Sequence, residues 1–168
     1  MTTAKLIING KEFEVQLTEE QAQELTAQKK VTGFERAKAD AYYYAANSVG
    51  RKDHFGECNM NYDDDRYATA NYYTDESLAE WCIRNDTLNR IMRRWAAEHN
   101  ATSIDWENSE GKWYIYYNCK YKDIEIGENK EYCSAERVYF QDYSTAKAAI
   151  KEFGDEIEWL AENRPKWF

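Results

Sequence analysis

The sequence predicts an α+β fold in which an N-terminal ββα unit is followed by two repeated units, each an antiparallel sheet and then a helix. Three observations predict it: a hairpin signal near the start, an aromatic strand pattern that occurs twice, and a long amphipathic helix after each occurrence. The predicted units are residues 1–33, 34–100 and 101–168. With one proline and seven glycines the chain has no Pro-rich or Gly-rich linker, so we expect the units to pack as one body.

The first unit begins with two short strands on either side of Asn9 and Gly10, a dipeptide that is typical of a tight turn between antiparallel strands. Thr18 and Gln21 follow with the spacing of a capping box, in which each side chain accepts a hydrogen bond from the other residue's backbone. This spacing indicates a short helix that ends near Gln28.

The aromatic pattern occurs as Tyr-Tyr-Tyr from residue 42 and as Trp-Tyr-Ile-Tyr-Tyr from residue 113. Each half then continues with a second predicted strand, at Arg66-Tyr67 and at Arg137-Val138, and with an aromatic pair. Aligning Tyr72 with Tyr139 also superposes Asp75 on Asp142. Each aspartate then precedes a helical pattern, where its carboxylate can cap the helix. A true internal repeat explains the match, and so does a general preference of strand-to-helix junctions for an aromatic pair and a capping residue.

Two long helices are predicted, from about Asp75 to His99 and from about Tyr143 to Ala161. Their apolar residues recur three and four positions apart, which places them on one stripe that faces the core. Asn85 interrupts the stripe of the first helix.

Composition limits the function classes. The chain of 168 residues carries 22 Lys plus Arg against 31 Asp plus Glu, a net charge of −9. This balance argues against direct nucleic-acid binding, because neutralising a phosphate backbone needs a surplus of positive charge. A mean hydropathy of −0.92 and the lack of a long apolar run predict no membrane span, and nothing marks the chain for secretion. We therefore expect a cytoplasmic protein.

Catalytic and cofactor signatures are not found in the sequence. The four cysteines lack the close spacing of a zinc site, so free thiols are expected and no metal or other cofactor is predicted. Only two histidines are present, which limits general-base chemistry. No phosphate-binding glycine loop or nucleophile elbow occurs, so we expect a protein that is not an enzyme.

The densest group of carboxylates is Asp63-Asp64-Asp65, at the end of a predicted acidic loop that begins at Asp53. The run fails as a calcium-binding EF-hand, because Asp64 stands where that motif needs glycine. It predicts a charged contact that attracts a basic partner. A solvated acidic loop without a partner is the alternative.

Tyrosine is the other excess, with 14 residues concentrated in the predicted strands. Side chains alternate between the two faces of a strand, so both faces of each aromatic strand carry rings. If helices cover only one face, the other is a tyrosine-rich surface, and tyrosine is enriched at binding interfaces. Tyr43, Tyr114 and Tyr116 are the predicted aromatic contacts, although tyrosine also tolerates half-exposed strand positions without any partner.

Several short motifs are spread over nearly the whole chain: Phe34-Glu35-Arg36 before Tyr42-Tyr43-Tyr44, then Asp64-Asp65-Arg66-Tyr67, Asn71-Tyr72-Tyr73, Val138-Tyr139-Phe140, Ala149-Ile150 and Gly154-Asp155-Glu156. With these motifs the chain resembles a group of small acidic proteins of phages and prophages of Gram-positive bacteria. The resemblance implies a phage context, hence a bacterial host cell, and the same α+β architecture, but it implies no catalytic residues and no mechanism.

The leading hypothesis is a non-enzymatic binding protein of a phage or mobile element, which occupies a basic site on a host or phage protein as anti-defence inhibitors do. That basic site would be one of the kind that normally holds nucleic acid. A structural protein that forms a homo-oligomer is the first alternative, and a metal-dependent hydrolase or nucleotide-binding protein is the second. The predicted binding residues are Asp63, Asp64, Asp65, Tyr43, Tyr114 and Tyr116.

Overall fold

A computed structural model describes residues 2–8, 11–21, 31–108, 110–166 and 168 of the chain. The described chain is a mixed α+β protein with antiparallel sheets, as the sequence predicts at the level of the α+β class. It divides into two compact units, Met1–Thr32 and Gly33–Phe168.

In the first unit, β1 (Thr2–Ile8) pairs antiparallel with β2 (Lys11–Leu17), and Ile8 lies opposite Lys11. This register leaves two residues for the connection, as the sequence predicts. The predicted turn residues Asn9 and Gly10 lie outside the described residues.

The predicted capping box is confirmed. The backbone N–H of Gln21 donates to Thr18 Oγ1 at 3.2 Å, and the backbone N–H of Thr18 donates to Gln21 Oε1 at 3.1 Å. The chain is helical from Glu19 to Gln21, and the rest of the predicted helix, residues 22–30, lies outside the described residues.

The second unit begins with an antiparallel hairpin of β3 (Tyr42–Ala46) and β4 (Lys52–Gly56). Asn47 closes its turn, because its side-chain Oδ1 accepts hydrogen bonds from the backbone N–H groups of Val49 and Arg51. The sequence assigned the β4 residues to a loop, and this was wrong. The β4 residues are mostly polar and lack the apolar alternation that predicts a strand. The strand forms because its backbone pairs with β3.

A short helix, α1 (Asn61–Ala68), follows β4. The prediction of an acidic loop through Asp65, with a strand at Arg66-Tyr67, was therefore wrong. The carboxylate of Asp63 reaches back to accept the backbone N–H of Met60 at 3.1 Å, which caps the first turn. Aspartates in the first turn also interact favourably with the positive end of the helix dipole, so the acidic run favours this helix.

Two long helices, α2 (Glu76–His99) and α3 (Tyr143–Glu162), and three strands make up the rest of the second unit. Asp75 caps the long α2 by accepting the backbone N–H of Leu78 at 2.7 Å, and Asp142 caps α3 by accepting that of Thr145 at 2.8 Å. Both helix assignments are confirmed to within one residue at each end. These elements are α2 (Glu76–His99), β5 (Lys112–Asn118), β6 (Asp123–Asn129), β7 (Tyr139–Phe140) and α3 (Tyr143–Glu162).

In both hairpins of the second unit the first strand has a partner on each side. Tyr44 of β3 forms a bridge with Tyr73, and Trp113 of β5 pairs with Phe140 of β7. The second-strand assignment of Arg137 and Val138 was wrong, because β7 contains only the two residues that follow them.

The largest core cluster of the second unit joins its two long helices to the second sheet. Residues of α2, β7 and α3 meet around Phe140, which is fully buried. Among the described residues, no helix is both long and apolar enough to cross a membrane. The buried members of the cluster are Leu88, Met92, Ala96, Val138, Phe140, Ala146, Ala149 and Leu160.

Candidate functional site

The candidate site lies where β4 ends and α1 begins. The backbone N–H of Glu57 donates to the carbonyl of Ala41 at 2.8 Å, and the N–H of Asp40 donates to the carbonyl of Glu57 at 3.0 Å. Asn59 has a φ of 55°, a left-handed conformation that asparagine adopts more readily than most residues. Its N–H donates to Glu57 Oε1 at 2.9 Å, so the path from the sheet to the helix is fixed.

Glu57 is a fully buried carboxylate with four hydrogen bonds. Arg36 donates to both of its oxygens, from Nη2 at 2.9 Å and from Nε at 3.1 Å. Tyr72 donates its hydroxyl to Oε2 at 2.6 Å, and Asn59 supplies the fourth bond. The hydrogen bonds of Arg36, aided by those of Tyr72 and Asn59, outweigh the opposing effect of burial and lower the pKa of Glu57 to about 2.

Asp63 is the second fully buried carboxylate. Its oxygens accept the hydroxyl of Tyr43 at 2.6 Å and the backbone N–H groups of Met60 and Cys58, each at 3.1 Å. Burial alone would raise the pKa of Asp63, but these three hydrogen bonds to the charged form lower it. Arg66 donates to the Tyr43 hydroxyl at 2.7 Å, which places a positive charge next to the pair.

The two carboxylates are linked by a pair of stacked rings. Tyr43 and Tyr72 lie face to face, with centroids 3.8 Å apart and planes inclined by 13°. Burial and a hydrogen bond to Asp63 raise the pKa of Tyr43 to about 12, and burial and the bond to Glu57 also raise the pKa of Tyr72. Both hydroxyls therefore stay protonated and donate to the carboxylates. We use the name buried network for six residues: Glu57, Asp63, Tyr43, Tyr72, Arg36 and Arg66.

Several side chains at the N-terminus and around α1 are exposed to solvent, and together we call them the α1 surface. Residues three and four positions apart share a helix face, so Asp64 lies beside Tyr67, and Tyr62 lies beside Asp65. The exposed fractions are 53% for Met60, 47% for Tyr62 and 44% for Tyr67. Exposed acidic side chains thus lie next to exposed aromatic ones along α1, and the α1 surface consists of Met60, Tyr62, Asp64, Asp65 and Tyr67.

The α1 surface keeps a negative charge. Arg36 contacts both Asp64 and the buried Glu57, so one guanidinium faces two carboxylates. No lysine, arginine or histidine of the described residues forms an ion pair with Asp65. A positively charged group of a partner therefore has a free carboxylate to meet here.

Two of the predicted contact residues lie inside the protein. We expected Asp63 and Tyr43 on the outer surface, and this was wrong. The carboxylate of Asp63 caps α1, and the ring of Tyr43 packs on Tyr72, because an aromatic ring with one hydroxyl can be buried when that hydroxyl has a partner. Asp64 and Asp65 are exposed, and their role in binding stays a prediction.

Tyr114 and Tyr116 lie together on another sheet, on a surface that we call the tyrosine face. Their ring centroids are 5.9 Å apart, and the guanidinium of Arg137 lies 4.1 Å from the Tyr114 centroid. The ring of Tyr114 lies over Gly127, where an added Cβ would approach it to 2.5 Å. Their neighbours in β5, Trp113 and Ile115, pack instead against the core cluster.

Tyr116 is partly exposed, and its hydroxyl donates to the carboxylate of Glu125. Tyr114 is half-buried. The role of Tyr114 and Tyr116 in binding also stays a prediction. Tyr43 lies in the β3–β4 hairpin and is not on the face that they share.

Sequence reasoning missed Met60, Tyr62 and Tyr67. These residues were assigned to a loop or a strand. Residues three and four positions apart are neighbours only in a helix, so the sequence did not connect them with Asp64 and Asp65. A signal was present in the run of aspartates, because acidic residues are favoured in the first turn of a helix.

Comparisons with protein-family models, with curated proteins and with solved structures gave no match. Among the described residues, no group of three or more His, Cys, Asp or Glu side chains is placed to hold a metal ion.

Proposed function

We propose that this chain is a non-enzymatic binding protein of a phage or mobile element, which acts in the host cytoplasm by occupying a basic site on a host protein. A site of the kind that normally holds nucleic acid fits best, because such sites are rich in lysine and arginine. The α1 surface is the proposed contact. The observation that carries the proposal is the combination of exposed Asp64, Asp65, Tyr62 and Tyr67 on a helix whose other side is fixed in the core.

The buried network supports this proposal because it holds the contact in a single geometry before any partner arrives. Asp63 fixes the first turn of α1 with three hydrogen bonds, and Arg66 in the last turn is held against Phe55 at 3.6 Å from the ring centroid. A surface that is already ordered loses little conformational entropy on binding, so more of the contact energy appears as affinity.

The charge of the chain supports it as well. A net charge of −9 attracts a basic partner at long range and raises the rate of encounter at low salt. At short range, Tyr62 and Tyr67 supply large, partly exposed rings that can be desolvated at an interface, where tyrosine often contributes much of the binding energy.

The test is affinity capture from the lysate of a Gram-positive bacterium, with quantification of the retained proteins at low and at high salt. The test variant is Asp64→Asn with Asp65→Asn. The matched control is Asp86→Asn with Asp155→Asn, which removes two exposed carboxylates from other helices and changes the net charge equally. We expect the wild type and the control to retain a basic protein at low salt, and the test variant to lose at least about 1.4 kcal/mol, or tenfold, of affinity.

Two outcomes contradict the proposal. One is a set of retained proteins that is the same for the wild type and the test variant. The other is retention that does not weaken with salt, because a contact between exposed charges is screened by added ions.

Assembly into a homo-oligomer is the second candidate function, and the tyrosine face favours it. α3 and the core cluster cover the side of β5 that carries Trp113 and Ile115, whereas Tyr116 on the other side is 38% exposed. If this face joins two copies, light scattering after size-exclusion chromatography gives a mass of two chains for the wild type. Tyr116→Glu then gives the mass of one chain, and Tyr42→Glu, at an exposed tyrosine of the other hairpin, does not. A wild-type mass of one chain at all concentrations contradicts this candidate.

We also propose that residues 34–100 and 101–168 are two copies of one ancestral unit, and that the chain is related to the phage proteins it resembles. The equivalent pairing of Tyr44 with Tyr73 and of Trp113 with Phe140 supports the repeat. So do the caps that Asp75 and Asp142 form at the following helices.

A further inference from the structure

A cavity of about 360 Å³ lies between α2, α3 and the β5 strand. Its apolar wall is made by core residues, including Leu88 and Met92 of α2 and Leu160 of α3. Cavities of this size are at the lower end of the range that holds small molecules. The cavity is separate from the α1 surface, because neither Glu57, Asp63 nor any residue of α1 lines it.

Asn85, the residue that interrupts the apolar stripe of α2, lines this cavity. Its side chain is half-buried, and its amide has no hydrogen-bond partner among the described residues. Asn89, one turn later, also lines the cavity and donates its amide to the backbone carbonyl of Asn85 at 3.0 Å. No side-chain nitrogen or oxygen of the described residues is both buried and without a partner, so the Asn85 amide is open to the cavity or to solvent. It can therefore bond to a polar group of a molecule in the cavity.

The charges at the rim indicate the sign of that polar group. Arg137 and Arg164 line the cavity, together with the single carboxylate of Glu136. Neither arginine forms an ion pair with a carboxylate of the described residues. The guanidinium of Arg137 lies over Tyr114, whereas Arg164 is exposed, which leaves Arg164 as the positive group for an occupant. A guanidinium pairs well with a carboxylate, because it can donate two parallel hydrogen bonds.

We propose that this cavity binds a small amphipathic carboxylate, with its apolar body between α2 and α3 and its carboxylate near Arg164. The amides of Asn85 and Asn89 hydrogen-bond the polar end of the molecule where it meets the apolar wall. Leu88, Ile157 and Leu160 contact the apolar body, whose burial supplies the main driving force.

Two fluorescent probes of nearly the same shape test the proposal. Anilinonaphthalene sulfonate is apolar with one negative charge, and phenylnaphthylamine is the same skeleton without the charge. Both fluoresce strongly only when they leave water for an apolar site. We expect one probe molecule to bind per chain, and the charged probe to be displaced by octanoate at a lower concentration than by octanol.

Two variants locate the site. Ala161→Phe fills the cavity from α3 and should weaken both probes by about tenfold, whereas Ala148→Phe, at an exposed position of the same helix, should change neither. Arg164→Gln should weaken the charged probe by about fivefold and leave the neutral probe unchanged. Lys166→Gln removes an exposed charge two residues away and serves as its control.

Arg164→Gln is at an exposed position outside the core cluster, so its result does not depend on whether Ala161→Phe folds. Equal binding of the charged probe to the wild type and to both test variants overturns the proposal. Equal displacement by octanoate and octanol overturns the assignment of a carboxylate, because it shows that the cavity recognises only the apolar body.

Discussion

Glu57→Gln is expected to lower the free energy of unfolding by roughly 3 kcal/mol at neutral pH, because it breaks a buried ion pair while leaving the shape of the side chain unchanged. The carboxylate accepts Arg36 through both oxygens, whereas an amide has only one oxygen and would turn its NH₂ group toward a donor. Urea unfolding at pH 7 measures the loss. Glu131→Gln, at an exposed glutamate, is the control and should change stability by less than about 0.5 kcal/mol.

The stability lost in Glu57→Gln is also expected to depend on pH. The pKa of Glu57 is about 2 in the folded protein, below its ordinary value of 4.5. A lowered folded-state pKa stabilises the protein above the unfolded-state pKa, and this stabilisation is lost as pH falls from about 4.5 to about 2. The stability difference between wild type and Glu57→Gln should therefore shrink over that range. A difference that is the same at pH 7 and pH 2.5 would show that the ion pair is not its cause.

Phe140→Ala is expected to destabilise the protein by about 3–5 kcal/mol, the usual result of deleting a fully buried phenyl ring. Phe140 lies in β7, pairs with Trp113 of β5, and has its ring 6.0 Å from that of Trp95 in α2. The deletion thus leaves a cavity where the sheet and both long helices meet. Thermal unfolding followed by circular dichroism should show a melting temperature lower by roughly 10 °C.

Tyr121→Ala is the matched control, because it deletes a ring that is 66% exposed. It should leave the melting temperature within about 2 °C of the wild type. A similar loss of stability in both variants would mean that the second sheet does not close over a core at Phe140.

The parts of the fold that the sequence predicted are those whose signals are local. α2 and α3 were predicted to within one residue at each end, because each has a capping aspartate directly before a long apolar stripe. The apolar stripe lies within the helix and the capping aspartate directly precedes it, so neither signal depends on a distant part of the chain.

The parts that were missed depend on distant partners. β4 is polar and exists because it pairs with β3, and α1 is fixed by Tyr43, which is 20 residues away from Asp63 in the chain. Tyr43 and Asp63 were each recognised as notable residues, but nothing in their separate patterns showed that they bond to each other. The exposed character of Asp64 and Asp65 follows from that contact, since burying Asp63 turns its neighbours outward.

The shortness of α1 has a consequence for any use of its surface. A helix of eight residues is below the length at which isolated peptides hold helical structure in water, so these residues keep their shape only while Tyr43, Tyr72 and Arg36 surround them. A synthetic fragment that copies the helix would therefore be unfolded in water. Grafting the helix onto another scaffold requires moving the β3–β4 hairpin and its ionic interior as well.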